Sequence, residues 1–169
     1  MVLLISGSTH TGKTKLANDL MVKYQIPYLS IDHIKMGLIR TKMIDVTVYE
    51  DEKIEELIWP VIREIIKTNI ENNQNLIIEG CYIPYNYKEY FDEKYLDKIR
   101  SISIIMSENY INSNFNKILE FENVIEKRLT EDIKKEELII DNNKNLSLCK
   151  KYNLDYILID KEYKINFEI

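Results

Sequence analysis

Gly7-Ser8-Thr9-His10-Thr11-Gly12-Lys13-Thr14 reads G-x-x-x-x-G-K-T, and the segments on either side decide how that pattern is to be taken. Before it, Met1-Val2-Leu3-Leu4-Ile5-Ser6 is a short apolar run of the kind that forms a fully buried strand. After it, Leu16, Leu20 and Tyr24 recur at i, i+4 and i+8 through Thr14 to Tyr24, on one face of a helix. Strand, glycine turn, helix is the context in which this pattern cradles phosphate. Gly7 and Gly12 carry no Cβ, so the backbone can turn tightly and bring its N–H groups against anionic oxygens. Those groups stand at a helix N-terminus, whose partial positive charge favours an anion. The run Gly7 to Thr14 is therefore expected to bind a nucleotide, with Lys13 reaching the β- and γ-phosphates and the Thr14 hydroxyl on Mg²⁺. His10 and Thr11 fill variable positions. An ordinary glycine turn is the competing reading, and motif and context together disfavour it.

The bulk properties narrow the classes. A chain of 169 residues fits one domain, 1–169, with a sizeable core. The composition is that of a soluble globular protein, and no apolar run is long enough to span a membrane. The first strand begins at residue 1, which leaves no room for a signal or transit peptide, so a cytoplasmic protein is expected. Cys81 and Cys149 make no C-x-x-C pair and read as reduced packing residues, while His10 and His33 lack the spacing of a metal pair. A net charge of -5 argues against a nucleic-acid partner, which demands a broad basic surface. A nucleotide needs only a nest of amides and one lysine.

Along the chain, apolar runs alternate with helical patterns, the signature of an α/β domain with a parallel sheet. Pro27 to Asp32 reads as a second strand ending in an acid, and His33 to Arg40 as a short helix broken at Gly37. Thr41 to Glu50 reads as loop. Asp51 to Asn73 is the strongest helical segment, with Ile54, Leu57, Ile58, Val61, Ile62, Ile65 and Ile66 in one apolar arc and an expected kink at Pro60. Leu76 to Gly80 reads as a third strand, Pro84 to Lys98 as a short irregular helix, and Ile99 to Met106 as a fourth strand with Ser107 capping the next helix. Helical pattern continues to Tyr152, and Tyr156 to Asp160 is the fifth strand.

Ligands of an open parallel sheet bind at the carboxyl ends of its strands. Asp32 and Glu79 end strands two and three there, beside the glycine loop. One carboxylate can orient an acceptor hydroxyl and take its proton, and the other can hold Mg²⁺. Capping of the following turn is the alternative for each. Asp160, followed by no helical pattern, reads as structural.

The loop together with Tyr28-Leu29-Ser30-Ile31-Asp32-His33-Ile34-Lys35 resembles the small P-loop kinases, such as chloramphenicol phosphotransferase, the zeta toxins and shikimate kinase. That resemblance implies a three-layer P-loop NTPase fold: a five-stranded parallel sheet flanked by helices, with a helical lid at about 107–135. It also implies that Asp32 is the base toward a small-molecule hydroxyl. Leu76 to Pro84 is similar to the hydrophobic-Asp-Gly-x-Pro-Arg segment of adenylate kinases, except that the acid is Glu79 and Tyr85 stands where the arginine would be. A lid arginine is implied as well. Arg128 lies in the right region with Lys127 as a substitute, and a solvated helix face beside Glu126 and Glu131 is the alternative. For the acceptor, Lys35 and Arg40 offer charge near Asp32, and Trp59 with Arg63 offers an aromatic plane beside a cation. Trp59 closing the rim of the core is the bland reading of that pair.

The expected function is ATP-dependent transfer of a γ-phosphoryl group to a small-molecule hydroxyl or phosphate, by a monomer or homodimer with ATP and Mg²⁺ as cofactors. Adenylate or other nucleoside monophosphate kinase activity is one alternative, and a toxin-like kinase of a sugar nucleotide is another. A regulatory ATPase or GTPase is the non-kinase alternative, for which Asn143-Lys144-Asn145 comes nearest a guanine-reading motif but lacks its acid.

Overall fold

The computed structural model describes residues 1–120 and 133–169. Five strands, β1 (Val2–Gly7), β2 (Tyr28–Ser30), β3 (Leu76–Glu79), β4 (Ile99–Met106) and β5 (Tyr156–Ile159), form one parallel sheet in the order β2-β3-β1-β4-β5. Parallel neighbours require crossovers, and helices α1 (Lys13–Tyr24), α2 (Ile31–Arg40), α3 (Asp51–Glu71), α4 (Glu93–Leu96), α5 (Glu108–Glu120) and α6 (Lys135–Lys151) supply helical ones. The central strand β1 is buried along its whole length, which is why its sequence is continuously apolar rather than alternating. Among the described residues no helix is long and apolar enough to cross a membrane.

Alternation along β1 divides the core. Val2 and Leu4 face a layer built on α3, the 82–95 segment and Cys149, while Leu3 and Ile5 face α1, α5 and Leu138. Register carries this division to the strand ends. Ile5 pairs with Glu79, and Glu79 with Ser30, so Glu79 and Ser30 share the α1 face. The glycine loop, Gly80 and the start of α2 all leave the sheet just beyond that row.

Several elements depart from the sequence reading. β2 stops at Ser30, and Ile31-Asp32 opens α2 instead of ending the strand. Ile31 is fully buried against Gly80, where a Cβ would come within 2.9 Å of the Ile31 Cβ, and Asp32 sits favourably in the first helical turn. α2 runs through Gly37, and α3 runs through Pro60. Pro60 is on the exposed side of α3, as is Glu56, so the carbonyl that Pro60 cannot bond meets solvent. The buried stripe of α3 is Ile54, Ile58, Ile62, Ile66 and Ile70, at strict i+4 spacing. Leu57 and Val61, which the wider arc included, are 45% and 46% exposed. The 84–98 stretch resolves into a 3-10 turn at Tyr87–Tyr90 and α4. Ser107 does cap α5, accepting from the Tyr110 N–H at 3.0 Å.

This stripe makes a direct comparison possible within one helix. Ile62→Ala is expected to cost about 2–5 kcal/mol in chemical denaturation, because it leaves a cavity in the core. Leu57→Ala, on the open side, is expected to stay within about 0.5 kcal/mol of the parent.

Candidate functional site

The loop is wound around the Ser8 carbonyl. Lys13 Nζ donates to Ser8 O at 2.8 Å and Thr11 Oγ1 donates to the same oxygen at 2.9 Å. Gly7 has φ +136°, and a Cβ there would stand 2.4 Å from the Ile104 carbonyl, so β4 packs directly against the turn. Gly12, at φ +87°, caps α1 in the left-handed region without a side-chain cap, and no acid lies in the first turn. The head of a helix has orphan N–H donors, and here the cap residue supplies no side-chain hydrogen bond to them, which suits an anion. Lys13 itself is only 5% exposed. An ammonium buried to that extent is costly unless it is paired, and an anionic phosphate would supply its counter-charge.

Two distant segments hold the loop. Asn145 Nδ2 of α6 donates to Ser8 Oγ at 2.8 Å, and the Tyr163 hydroxyl, beyond β5, donates to Thr11 O at 3.2 Å. A Cβ on Gly12 would fall 1.8 Å from that Tyr163 oxygen. Burial raises the Tyr163 phenol from 10.0 to about 12, with Tyr110 and Asp19 adding to the shift.

Thr14 follows Lys13 into α1 and is half-buried, while Glu79 is 1% exposed on the α1 face. Among the described residues no three His, Cys, Asp or Glu gather as a metal cluster. A hydroxyl and a carboxylate are hard oxygen donors that suit Mg²⁺, which typically draws its remaining ligands from phosphate oxygens and water. The Ser30 hydroxyl, abreast of Glu79, is buried with no hydrogen-bond partner among the described residues.

On the α3 side, four side chains form a chain of contacts. Asp32 Oδ1 pairs with Lys35 Nζ at 2.9 Å, Lys35 Nζ donates to the Tyr82 hydroxyl at 3.0 Å, and that hydroxyl donates to Asp51 Oδ1 at 2.7 Å. Burial, then the hydrogen bond to Asp51, pushes the Tyr82 phenol far up, so it stays a neutral donor. The Asp32 side chain is 38% exposed and reachable by a ligand. Tyr85, which occupies the position of the arginine in the adenylate kinase pattern, turns inward to the Ser6 and Ser103 hydroxyls, themselves 2.6 Å apart.

Of the residues expected from sequence, Gly7 to Thr14 run from the end of β1 through a tight turn into α1, Glu79 lies on the α1 face of the sheet, and Asp32 and Lys35 lie together. Arg40 is at the exposed end of α2. Trp59 takes the core-closing alternative: it is buried edge-on to Tyr90 and Phe91, at 6.1 and 6.2 Å between ring centroids. Arg63 pairs with Glu64 at 3.1 Å, about 18 Å along α3 from Asp51 by helical rise. Arg128 and Lys127 lie outside the described residues. Sequence reasoning gave no role beside the loop or Asp32 to Asp51, Asn145 or Tyr163, and took Tyr82 only as one of the tyrosines up to Tyr95 that could line a pocket. Only Tyr82, three residues past the acid that ends β3, had a positional signal.

No family model matches the chain, and no curated protein matches it in sequence. In structure it is similar to a gluconokinase from Sinorhizobium meliloti, with a TM-score of 0.55 and 13% identity over 94% of this chain and 81% of that one. It is also similar to a shikimate kinase from Bacteroides thetaiotaomicron, with a TM-score of 0.52 and 13% identity over 95% of this chain and 85% of that one. The five-stranded parallel sheet flanked by helices is thus the fold of these two kinases.

The Tyr163 phenol gives a pH prediction. Its folded value of about 12 exceeds the ordinary 10.0, so between those values the unfolded chain releases a proton that the folded chain keeps. The stability this lends is complete below pH 10 and is lost as pH rises through 12. Tyr163→Phe is therefore expected to flatten the alkaline fall of Tm with pH, read by thermal melts across that window.

Proposed function

We propose that the protein is an ATP-dependent kinase that moves the γ-phosphoryl group onto a hydroxyl of a small molecule, as one catalytic unit; the lid expected at about 107–135 falls partly outside the described residues. The observation that carries this reading is a buried Lys13 ammonium, folded onto its own loop in an uncapped helix head, with the reachable carboxylate of Asp32 at the same sheet edge. Register supports the spacing. Ile5, Glu79 and Ser30 stand abreast, the loop begins two residues beyond Ile5, and Asp32 lies two beyond Ser30. With strands about 4.8 Å apart, β1 and β2 are separated by about 10 Å at that level, room for a terminal phosphate and an acceptor oxygen.

In this reading the amides of Gly7 to Thr14 bind the phosphates, and Lys13 leaves Ser8 O to bridge the β and γ groups. Thr14 and Glu79 are the residues that would hold Mg²⁺, which would supply charge neutralisation at the phosphate oxygens. The acceptor oxygen attacks the γ-phosphorus as the bond to the β-bridging oxygen breaks, and its proton passes to Asp32. Lys35, braced by Tyr82, orients that carboxylate. Arg128 or Lys127 is the lid cation, and Arg40 with Lys35 is the charge available to an acceptor. Trp59 and Arg63 have no part in it. Cytoplasmic location and a monomer or homodimer complete the proposal.

A hydroxyl acceptor is favoured over a nucleoside monophosphate because Tyr85, in place of an arginine, points into the fold. A guanine reader is disfavoured because Asn143-Lys144-Asn145 lies within α6.

Two variants test this. Lys13→Ala is expected to lower transfer by about 10²–10³-fold and to weaken Mg·ATP binding, since the lost charge acts most strongly in the transition state. Near-normal turnover would reject the loop assignment. Asp32→Asn is expected to lower turnover by about 10²–10⁴-fold with Mg·ATP affinity kept. A larger loss from Lys35→Ala or Arg40→Ala than from Asp32→Asn would favour a phosphate acceptor.

A further inference from the structure

Asn145 comes from the Asn143-Lys144-Asn145 stretch that the proposed function leaves without a role. We infer that Asn145 is a positioning residue for the phosphate loop, acting through the Ser8 hydroxyl; the inference rests on the nucleotide-binding reading of that loop. The contact joins residues 137 apart in sequence, at 2.8 Å and part-buried. Ser8 is the hub of the loop. Its carbonyl receives both Lys13 and Thr11, and its hydroxyl receives Asn145.

The support behind Asn145 is rigid. One turn earlier in α6, the buried Asn142 accepts the Met106 N–H at 2.8 Å and donates to the Leu138 carbonyl at 2.8 Å, tying the helix to the end of β4. Leu138 and Cys149 bury α6 against the two sides of the core. Lys144, next to Asn145, sits within electrostatic reach of Glu55 on α3 and of Asp141. Asn145 therefore projects from a helix tied to β4 onto a loop that keeps Thr11 on the Ser8 carbonyl but loses the Lys13 restraint when phosphate binds. When Lys13 turns to a phosphate, Ser8 loses the ammonium from its carbonyl. The Asn145 bond remains and keeps the turn in the shape that presents its amides.

The test is a double-mutant cycle on affinity for Mg·ADP and Mg·ATP, measured calorimetrically with Tm alongside. Asn145→Ala and Ser8→Ala are each expected to weaken both ligands about three- to tenfold, the range of one neutral hydrogen bond. The double variant is expected to be no weaker than either single one, because both remove the same contact. A residue that only packs α6 would lower Tm and give additive losses. Additive losses, or wild-type affinity in Asn145→Ala where Lys13→Ala fails to bind, overturn the inference and leave the nucleotide reading standing. If Asn145→Ala does not fold, Ser8→Ala alone decides, since unchanged affinity in it is equally fatal. Wild-type protein that binds neither ligand overturns both.

Discussion

The ammonium of Lys13 is the group on which the rest depends. It is almost wholly buried, and among the described residues its hydrogen bond goes to the carbonyl of Ser8. A buried charge answered by one neutral dipole is poorly compensated. That deficit becomes useful when an anion arrives, because a phosphate supplies what the loop lacks. The same logic applies to the head of α1, whose donors meet no side-chain cap and no acid. In the proposed function, an anionic ligand is what completes this loop.

The sheet determines what that ligand meets. β1 lies between β3 and β4, so the loop emerges in the middle of the carboxyl edge rather than at its rim. Glu79 rises beside it on the α1 face, while Asp32, Lys35, Tyr82 and Asp51 form their chain on the side of α3. One edge therefore offers a cationic cradle and, two strands away, a carboxylate held by a lysine that is itself braced by a neutral phenol. Asn145 and Tyr163 reach the loop from elements that follow β4 and β5, so its shape depends on nearly the whole chain.

How much of this was legible depended on whether the signal was local. The central strands announced themselves, because burial on both faces removes polar alternation from Val2–Gly7 and Leu76–Glu79. The glycine loop was legible because its chemistry needs specific residues at specific spacings. The end of β2 was not, since Ile31 suits a buried strand and a buried helical turn equally and only packing against Gly80 decides. In α3, isoleucine, leucine and valine occupy adjacent faces, so composition alone could not tell the core stripe from Leu57 and Val61. Trp59 beside Arg63 suggested stacking, yet the large ring gains more by closing the core with Phe91 and Tyr90. Asp51, Asn145 and Tyr163 act across long separations, where no sequence pattern points.

The most direct measurement is a titration of isotopically labelled protein with Mg·ATP, followed through its backbone amide resonances. The account predicts that the amides of Gly7, Gly12, Lys13 and Thr14 shift most and saturate together, as donors newly bonded to phosphate do. Shifts that leave these four unmoved, or that concentrate elsewhere on the molecule, would contradict it.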